Sequence, residues 1–203
     1  MDFKKHLENA WNLTFKYLAA LILMTLVMLA ISLITAGILG PVMMAGYMQA
    51  IIRMVRDGRE PRIQDLFSQM GLFLPLLAFS VVVFIALLVG FSMLVLPSLV
   101  IALAVTFACI YMLPLMTDKQ MGLLDALKTS WQMAVQENVA DHVVVVILFI
   151  GLMAIGSSVF FGILFTQPFA TVFVISIYQE RIGSGTFAPS KTPPPSPENS
   201  NNP

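Results

Sequence analysis

The chain has 203 residues, of which 58% are hydrophobic and 11% are Asp, Glu, Lys or Arg. Soluble domains have about 45–50% apolar and about 25% charged residues, so this composition cannot supply the polar surface that a water-soluble fold of this length needs. The formal net charge is zero, which gives no case for nucleic acid as a partner.

Residues 1–16 have the pattern of an amphipathic helix at a membrane surface. Apolar side chains recur every three or four positions, and the polar ones lie mostly on the opposite face. Trp11 and Lys16 are predicted to anchor this helix at the interface, although Lys4 interrupts the apolar face and Leu13 falls outside it. The apolar face consists of Phe3, Leu7, Ala10, Trp11 and Phe15.

Three long segments that lack Asp, Glu, Lys and Arg follow, at 17–52, 66–117 and 142–179. A helix crosses the hydrocarbon core of a bilayer with about 20 residues. Each segment is therefore too long for one crossing and suits two.

A proline lies near the middle of each segment. Proline breaks a continuing helix but is tolerated in the first turn of a new one, so Pro41, Pro97 and Pro168 are the predicted helix breaks. The sequence thus predicts an all-α integral membrane domain at 17–183, with about six transmembrane helices arranged as three hairpins. These hairpins span about residues 17–52, 72–117 and 142–179.

The connectors between the hairpins repeat the amphipathic pattern, briefly after Arg62 and clearly after Gly122. We therefore expect amphipathic interfacial helices to join the hairpins, with Trp131 as a further anchor. The apolar positions are Ile63, Leu66, Phe67 and Met70 in the first connector and Leu123, Leu124, Leu127, Trp131, Ala134 and Val135 in the second.

All Asp, Glu, Lys and Arg residues lie outside the predicted hairpins. If each hairpin crosses and returns, the charged segments share one face, and their basic residues mark that face as cytoplasmic. Both termini are then cytoplasmic, and Arg181 anchors the end of the last hairpin. Residues 184–203 are rich in Pro, Ser and Asn and are predicted to be a disordered cytoplasmic tail, either simply solvated or docked in an aromatic groove of a partner.

Sequence motifs for catalysis or for metal and cofactor binding are absent from the chain. His6 and His142 are the only histidines, and we expect Asp141 and His142 to be a pair at the membrane interface. The hairpins lack Asp, Glu, Lys and Arg, which disfavours a proton-coupled pump or an ion channel lined by carboxylates. The sequence predicts a protein that is not an enzyme and that has no cofactor or metal.

One polar face is a candidate binding site. Gln49, Arg53 and Arg56 are spaced by four and three residues, so they share a helix face, and Arg53 follows Pro41 too closely to clear the hydrocarbon core. We expect this face either to contact an anionic lipid headgroup or solute, or to hold snorkelling anchors only. Small residues at helical spacing, such as Gly46 and Ala50, serve helix packing within the chain or self-association.

Several motifs together resemble a broad family of uncharacterised bacterial multi-pass membrane proteins, similar to the membrane region fused to some glycerophosphodiester phosphodiesterases. The resemblance covers about residues 35–183 and implies six helices in a bacterial cytoplasmic (inner) membrane, with no established activity and no catalytic residue. The motifs are Gly40-Pro41-Val-Met-Met-Ala-Gly46-Tyr47, Asp65-Leu-Phe67, Leu96-Pro97, Leu113-Pro114-Leu-Met-Thr-Asp118 and Gly122-Leu-Leu-Asp-Ala-Leu-Lys-Thr-Ser130-Trp131.

Three functions fit these observations. The first is a non-catalytic membrane scaffold or partner subunit that contacts lipids and either self-associates or binds another protein. The second is a transporter or channel for a lipid or small solute, with Gln49 and Arg53 as contacts. The third, an intramembrane enzyme, has the least support because no catalytic constellation is present.

Overall fold

The structure is a computed structural model that describes residues 3–93, 95–136, 139–158 and 162–183. In these ranges all regular secondary structure is helical; the tail predicted at 184–203 lies outside them. The α-helices are α1 (Phe3–Lys16), α2 (Leu18–Ile34), α3 (Gly40–Asp57), α4 (Phe73–Met93), α5 (Val95–Cys109), α6 (Met112–Asp118), α7 (Leu123–Gln136), α8 (Val139–Ser157) and α9 (Ile163–Gly183), and two 3-10 helices lie at Ile63–Phe67 and Met70–Leu72.

Consecutive helices pack as three pairs, α2 with α3, α4 with α5, and α8 with α9. The turn of the first pair contains Gly37, whose φ of 83° is in the left-handed region that favours glycine. In the other two pairs, a glycine near the end of the first helix allows the second helix to pack closely. A side chain at Gly90 would collide with α5 near Ser98, and one at Gly156 would collide with Thr166 of α9.

The three prolines lie at different depths in their helices. Pro41 is the second residue of α3 and Pro97 the third of α5, where a missing backbone N–H leaves no helical bond unmade. Pro168 lies inside α9, so the bend of the third pair precedes it. The reason is that the Gly162 carbonyl accepts hydrogen bonds from the amides of Phe165 and Thr166 and starts the helix earlier.

The first amphipathic connector differs from the expected helix. It consists of the two 3-10 helices, which we call the 63–72 connector, and it packs on α3. The Asp65 carboxylate accepts a hydrogen bond from the backbone N–H of Arg62 at 3.0 Å. This bond favours a short tight turn over a continuing α-helix. The other two amphipathic segments, α1 and α7, are α-helices of 14 residues each.

Each amphipathic segment packs on the second arm of another helix pair. The contacts are α1 on α9, the 63–72 connector on α3, and α7 on α5 and α6. This order closes a ring of three similar units. Helices α3 and α9 lie at its centre, since α3 contacts α2, α4, α6 and α9, and α9 contacts α1, α2, α3 and α8.

Among the described residues, three stretches are long and apolar enough to cross a membrane, Ile63–Ser92, Leu96–Asp118 and Val139–Ser157. A fourth results if α1 and α2, which meet at a bend of 84°, count as one broken span. These lengths and compositions are those of a membrane protein. The central helices are more polar, because Arg53, Arg56 and Asp57 end α3 and because α9 carries Gln167 and Gln179.

Candidate functional site

Asp118, the last residue of α6, is the centre of a polar cluster where the three units of the ring meet. Its carboxylate accepts a hydrogen bond from Arg56 of α3 at 2.8 Å and one from the Tyr178 hydroxyl of α9 at 3.2 Å, and the Lys119 ammonium lies 3.8 Å away. We call these four residues the Asp118 junction. The Asp118 side chain is almost fully buried, so its charge depends on these partners for compensation.

Asp65 forms a second polar cluster, where the 63–72 connector packs on α3. Arg59 donates to its carboxylate at 3.1 Å, and Arg53 lies 3.7 Å from the same oxygen. Gly46 allows this approach, since a Cβ there would lie 2.7 Å from the Asp65 carbonyl oxygen and closer still to that of Leu66. The 63–72 connector is therefore held against α3 by both charge and close packing.

In the structure, each of the predicted residues Gln49, Arg53 and Arg56 has different partners. Arg53 faces Asp65 and Arg56 faces Asp118, while the Gln49 side-chain oxygen accepts hydrogen bonds from Ser68 and Gln69. The three side chains thus bind the protein's own polar groups rather than converging on a shared space. Arg53 remains partly exposed, and its contact with an anionic headgroup stays a prediction.

Arg181 differs from the interfacial anchor that the sequence predicted. Its side chain is among the most deeply buried in the described residues, with 2% exposure. It donates to the Met133 carbonyl of α7 at 2.7 Å and lies 5.2 Å from the Tyr111 ring centre. A planar guanidinium suits such a site, because it can donate and stack at the same time. Lys16 does remain exposed, over the Tyr17 ring.

His142 also differs from the expected surface pair with Asp141. It is fully buried, its Nε2–H donates to the Phe107 carbonyl of α5 at 2.9 Å, and its ring contacts Phe107 and Tyr111. Among the described residues its Nδ1 has no hydrogen-bond partner. Sequence reasoning missed this link, because a histidine in the first turn of α8 and a backbone carbonyl 35 positions away give no local signal.

His6, Ser176 and Glu180 form a cluster that resembles a hydrolytic triad in composition only. His6 Nδ1 and the Ser176 hydroxyl are 2.7 Å apart, and His6 Nε2 bonds Glu180. Ser176 and Glu180 lie one turn apart inside α9, where the backbone amides next to Ser176 are used in the helix and are not free to stabilise an oxyanion. The cluster instead links α1 to α9 through side-chain hydrogen bonds.

Both tryptophans lie on amphipathic helices beside an open groove. Trp11 of α1 packs against Phe165 and Phe169 of α9, and Trp131 of α7 packs against Phe107 of α5. Each is about half exposed, as an aromatic side chain at a membrane interface would be.

Within the described ranges, no group of three or more His, Cys, Asp or Glu side chains is placed to hold a metal ion. Comparisons with models of known families, with curated proteins and with solved structures found no match to this chain.

Proposed function

We propose that the chain is a multi-pass integral protein of a bacterial cytoplasmic membrane, with six spans in three hairpins and both termini in the cytoplasm, and that it acts as a non-catalytic scaffold or partner subunit. The six spans include α3 and α9 in addition to the more apolar helices. At a rise of about 1.5 Å per residue, both approach the hydrocarbon thickness of about 30 Å.

The central position of α3 and α9 explains why they are less apolar than a lipid-facing helix. Other helices surround both of them, and their polar side chains bond within the protein. The Thr171 hydroxyl donates to the Gln167 carbonyl, and the Gln179 amide donates to the Ile52 carbonyl. A polar group that is satisfied internally does not oppose insertion as one facing lipid would.

The observation that carries the scaffold role is the apolar packing of the bundle centre. Transport requires a polar or hydrated path, whereas Tyr47 and Ile51 of α3 and Phe173 and Ile177 of α9 are fully buried. The charged residues of the predicted solute contact are paired with Asp65 and Asp118 at one end of this core. This favours a closed structural unit over a transporter for a lipid or solute.

The α4–α5 pair is the surface that best fits a neighbouring protein or a second copy. Its apolar side chains are exposed on several faces, among them Val82, Phe84 and Leu88 of α4 and Leu96 and Val100 of α5. In a monomer these side chains contact lipid tails. In an assembly they provide the helix packing that holds membrane subunits together.

Disulfide cross-linking in native membranes tests the assembly directly. Because Cys109 is the only cysteine, a Cys109→Ala chain accepts single cysteines without background. Leu88→Cys on the exposed face of α4 is expected to give a cross-linked dimer on oxidation. Leu76→Cys, which is buried in the same helix, is the matched control and should give none.

A vesicle assay separates the scaffold from the transport alternative. Reconstituted protein should leave an entrapped anionic dye inside, and it should leave inner-leaflet fluorescent lipid protected from an external reductant. Dye release or lipid exposure that Arg53→Ala abolishes would establish transport instead. Failure of every exposed α4 and α5 position to cross-link would remove self-association through this face.

A further inference from the structure

The grooves beside the two tryptophans are equivalent positions of the repeated unit. The Trp11 groove is lined by Leu7, Glu8, Trp11, Asn12 and Phe169. The Trp131 groove is lined by Ala108, Leu127, Lys128, Trp131 and Gln132. A constant spacing of 120 residues relates the four lining residues on α1 to the four on α7. Three of the four positions have the same kind of side chain in both helices, namely leucine, tryptophan and a side-chain amide.

The two grooves differ in the charge and in the size of their lining residues. The charged position is Glu8 in one and Lys128 in the other, and the residue on the hairpin helix is Phe169 in one and Ala108 in the other. Exchange of a phenyl ring for a methyl group leaves the Trp131 groove larger, at about 420 Å³ against about 330 Å³. The Trp131 groove therefore combines a wider apolar floor with a positive charge at its edge.

We propose that the Trp131 groove binds an anionic phospholipid, with an acyl chain against Ala108, Leu127 and the Trp131 ring and the headgroup phosphate at Lys128. An apolar groove at the membrane surface fits an acyl chain, and a lysine on an amphipathic helix attracts anionic headgroups. None of the ion pairs among the described residues includes Lys128. Gln132, one turn further along α7, adds an amide donor beside the phosphate.

The same reasoning makes the Trp11 groove a built-in control. Glu8 repels a phosphate, and the Phe169 ring occupies the space that Ala108 leaves open. Asp125 lies one turn before Lys128 on α7 but does not line the groove. The two grooves therefore share an amphipathic α-helix and a tryptophan, and they differ mainly in charge and volume.

Tryptophan fluorescence measures both grooves separately, because the chain has only two tryptophans. Trp11→Phe leaves Trp131 as the reporter, and Trp131→Phe leaves Trp11. The full chain is reconstituted in phosphatidylcholine vesicles that contain either brominated phosphatidylglycerol or brominated phosphatidylcholine at equal mole fraction. Trp131 is expected to be quenched about fivefold more readily by the anionic lipid, from the contribution of one basic residue, and Trp11 is expected to show no such preference.

Three variants in the Trp11→Phe background identify the site. Lys128→Glu should abolish the preference, Lys128→Arg should keep it, and Ala108→Phe should reduce quenching by both lipids. Circular dichroism checks that each variant remains helical, and Lys128→Gln replaces Lys128→Glu if that protein does not fold. Equal quenching of Trp131 by the two brominated lipids would overturn the proposal.

The inference rests on the proposed membrane placement, and the experiment separates the two. If neither tryptophan is quenched by either brominated lipid, the membrane placement fails and the lipid site fails with it. If both are quenched without regard to headgroup charge, the placement stands and only the lipid site is lost.

Discussion

Arg56 and Asp118 lie 2.8 Å apart and join α3, the second arm of the first helix pair, to α6, the short helix that follows the second pair. Tyr178 reaches the same carboxylate from the third, so one buried acid connects α3, α6 and α9. An all-helical membrane bundle has little hydrophobic drive to choose one packing of apolar helices over another, since lipid tails are equally apolar. The Asp118 junction supplies the directional contact that fixes the arrangement of the three units.

Asp118→Ala should destabilise the bundle. The substitution removes the acceptor for two hydrogen bonds and leaves Arg56 beside an apolar gap, which costs about 1–3 kcal/mol. The lower part of this range applies if the half-exposed Arg56 side chain reaches water. Equilibrium unfolding of the purified chain in mixed micelles measures the loss.

A double-mutant cycle with Arg56→Ala shows whether the pair itself is responsible. The double variant should be less destabilised than the sum of the single variants, because neither charge is then left alone. Strict additivity would show that Arg56 and Asp118 do not interact in the folded protein.

Gly46→Ala should be more damaging than its size suggests. The new methyl group would meet the backbone carbonyl of Leu66, which cannot rotate away as a side chain can. Overpacking of this kind costs about 1–3 kcal/mol. Gly151→Ala is the matched control, since nothing lies within 4 Å of its Cβ position and the change should be neutral or stabilising. Equal thermal stability of the two variants would contradict the close approach of the 63–72 connector to α3.

His6→Ala should loosen α1 from α9. The substitution removes the bonds to Ser176 and Glu180, and a loss of about 1.5 kcal/mol in docking free energy increases transient opening about tenfold. Ala10 is fully buried at this contact, so Ala10→Cys in the Cys109→Ala chain reports the opening by its rate of maleimide labelling. The exposed Asn9→Cys controls for reagent access, and an unchanged rate at position 10 would show that the apolar contacts of Trp11 are sufficient.

The helical class and the positions of most helices could be predicted from local signals. Long uncharged stretches and prolines can be recognised from residues that are close together in the sequence. Pro41 and Pro97 do lie in the first turns of α3 and α5. Pro168 shows the limit of this signal. A proline indicates a helix start only when it lies in the first turn of that helix. Here the hydrogen bonds to the Gly162 carbonyl start α9 before Pro168.

The candidate site could be predicted only in part, because its charges are compensated over long distances in sequence. Helical spacing indicates that Arg53 and Arg56 share a face, but their partners Asp65 and Asp118 come from other elements. Arg181 ends an apolar helix, which is the position of a snorkelling anchor. Its burial depends on a carbonyl of α7 and a ring beyond α5, which no local pattern encodes.

Single-cysteine labelling tests the proposed topology. In the Cys109→Ala chain, Ile38→Cys in the α2–α3 turn and Ser158→Cys after α8 are exposed positions at the uncharged ends of their helix pairs, and Glu60→Cys and Asp125→Cys are exposed positions in charged segments. A membrane-impermeant maleimide added to intact cells should label positions 38 and 158 only. In inverted vesicles the same reagent should label positions 60 and 125 only, because basic residues retain their segments in the cytoplasm. Labelling of positions 38 and 60 from the same side would mean that α3 does not cross the membrane.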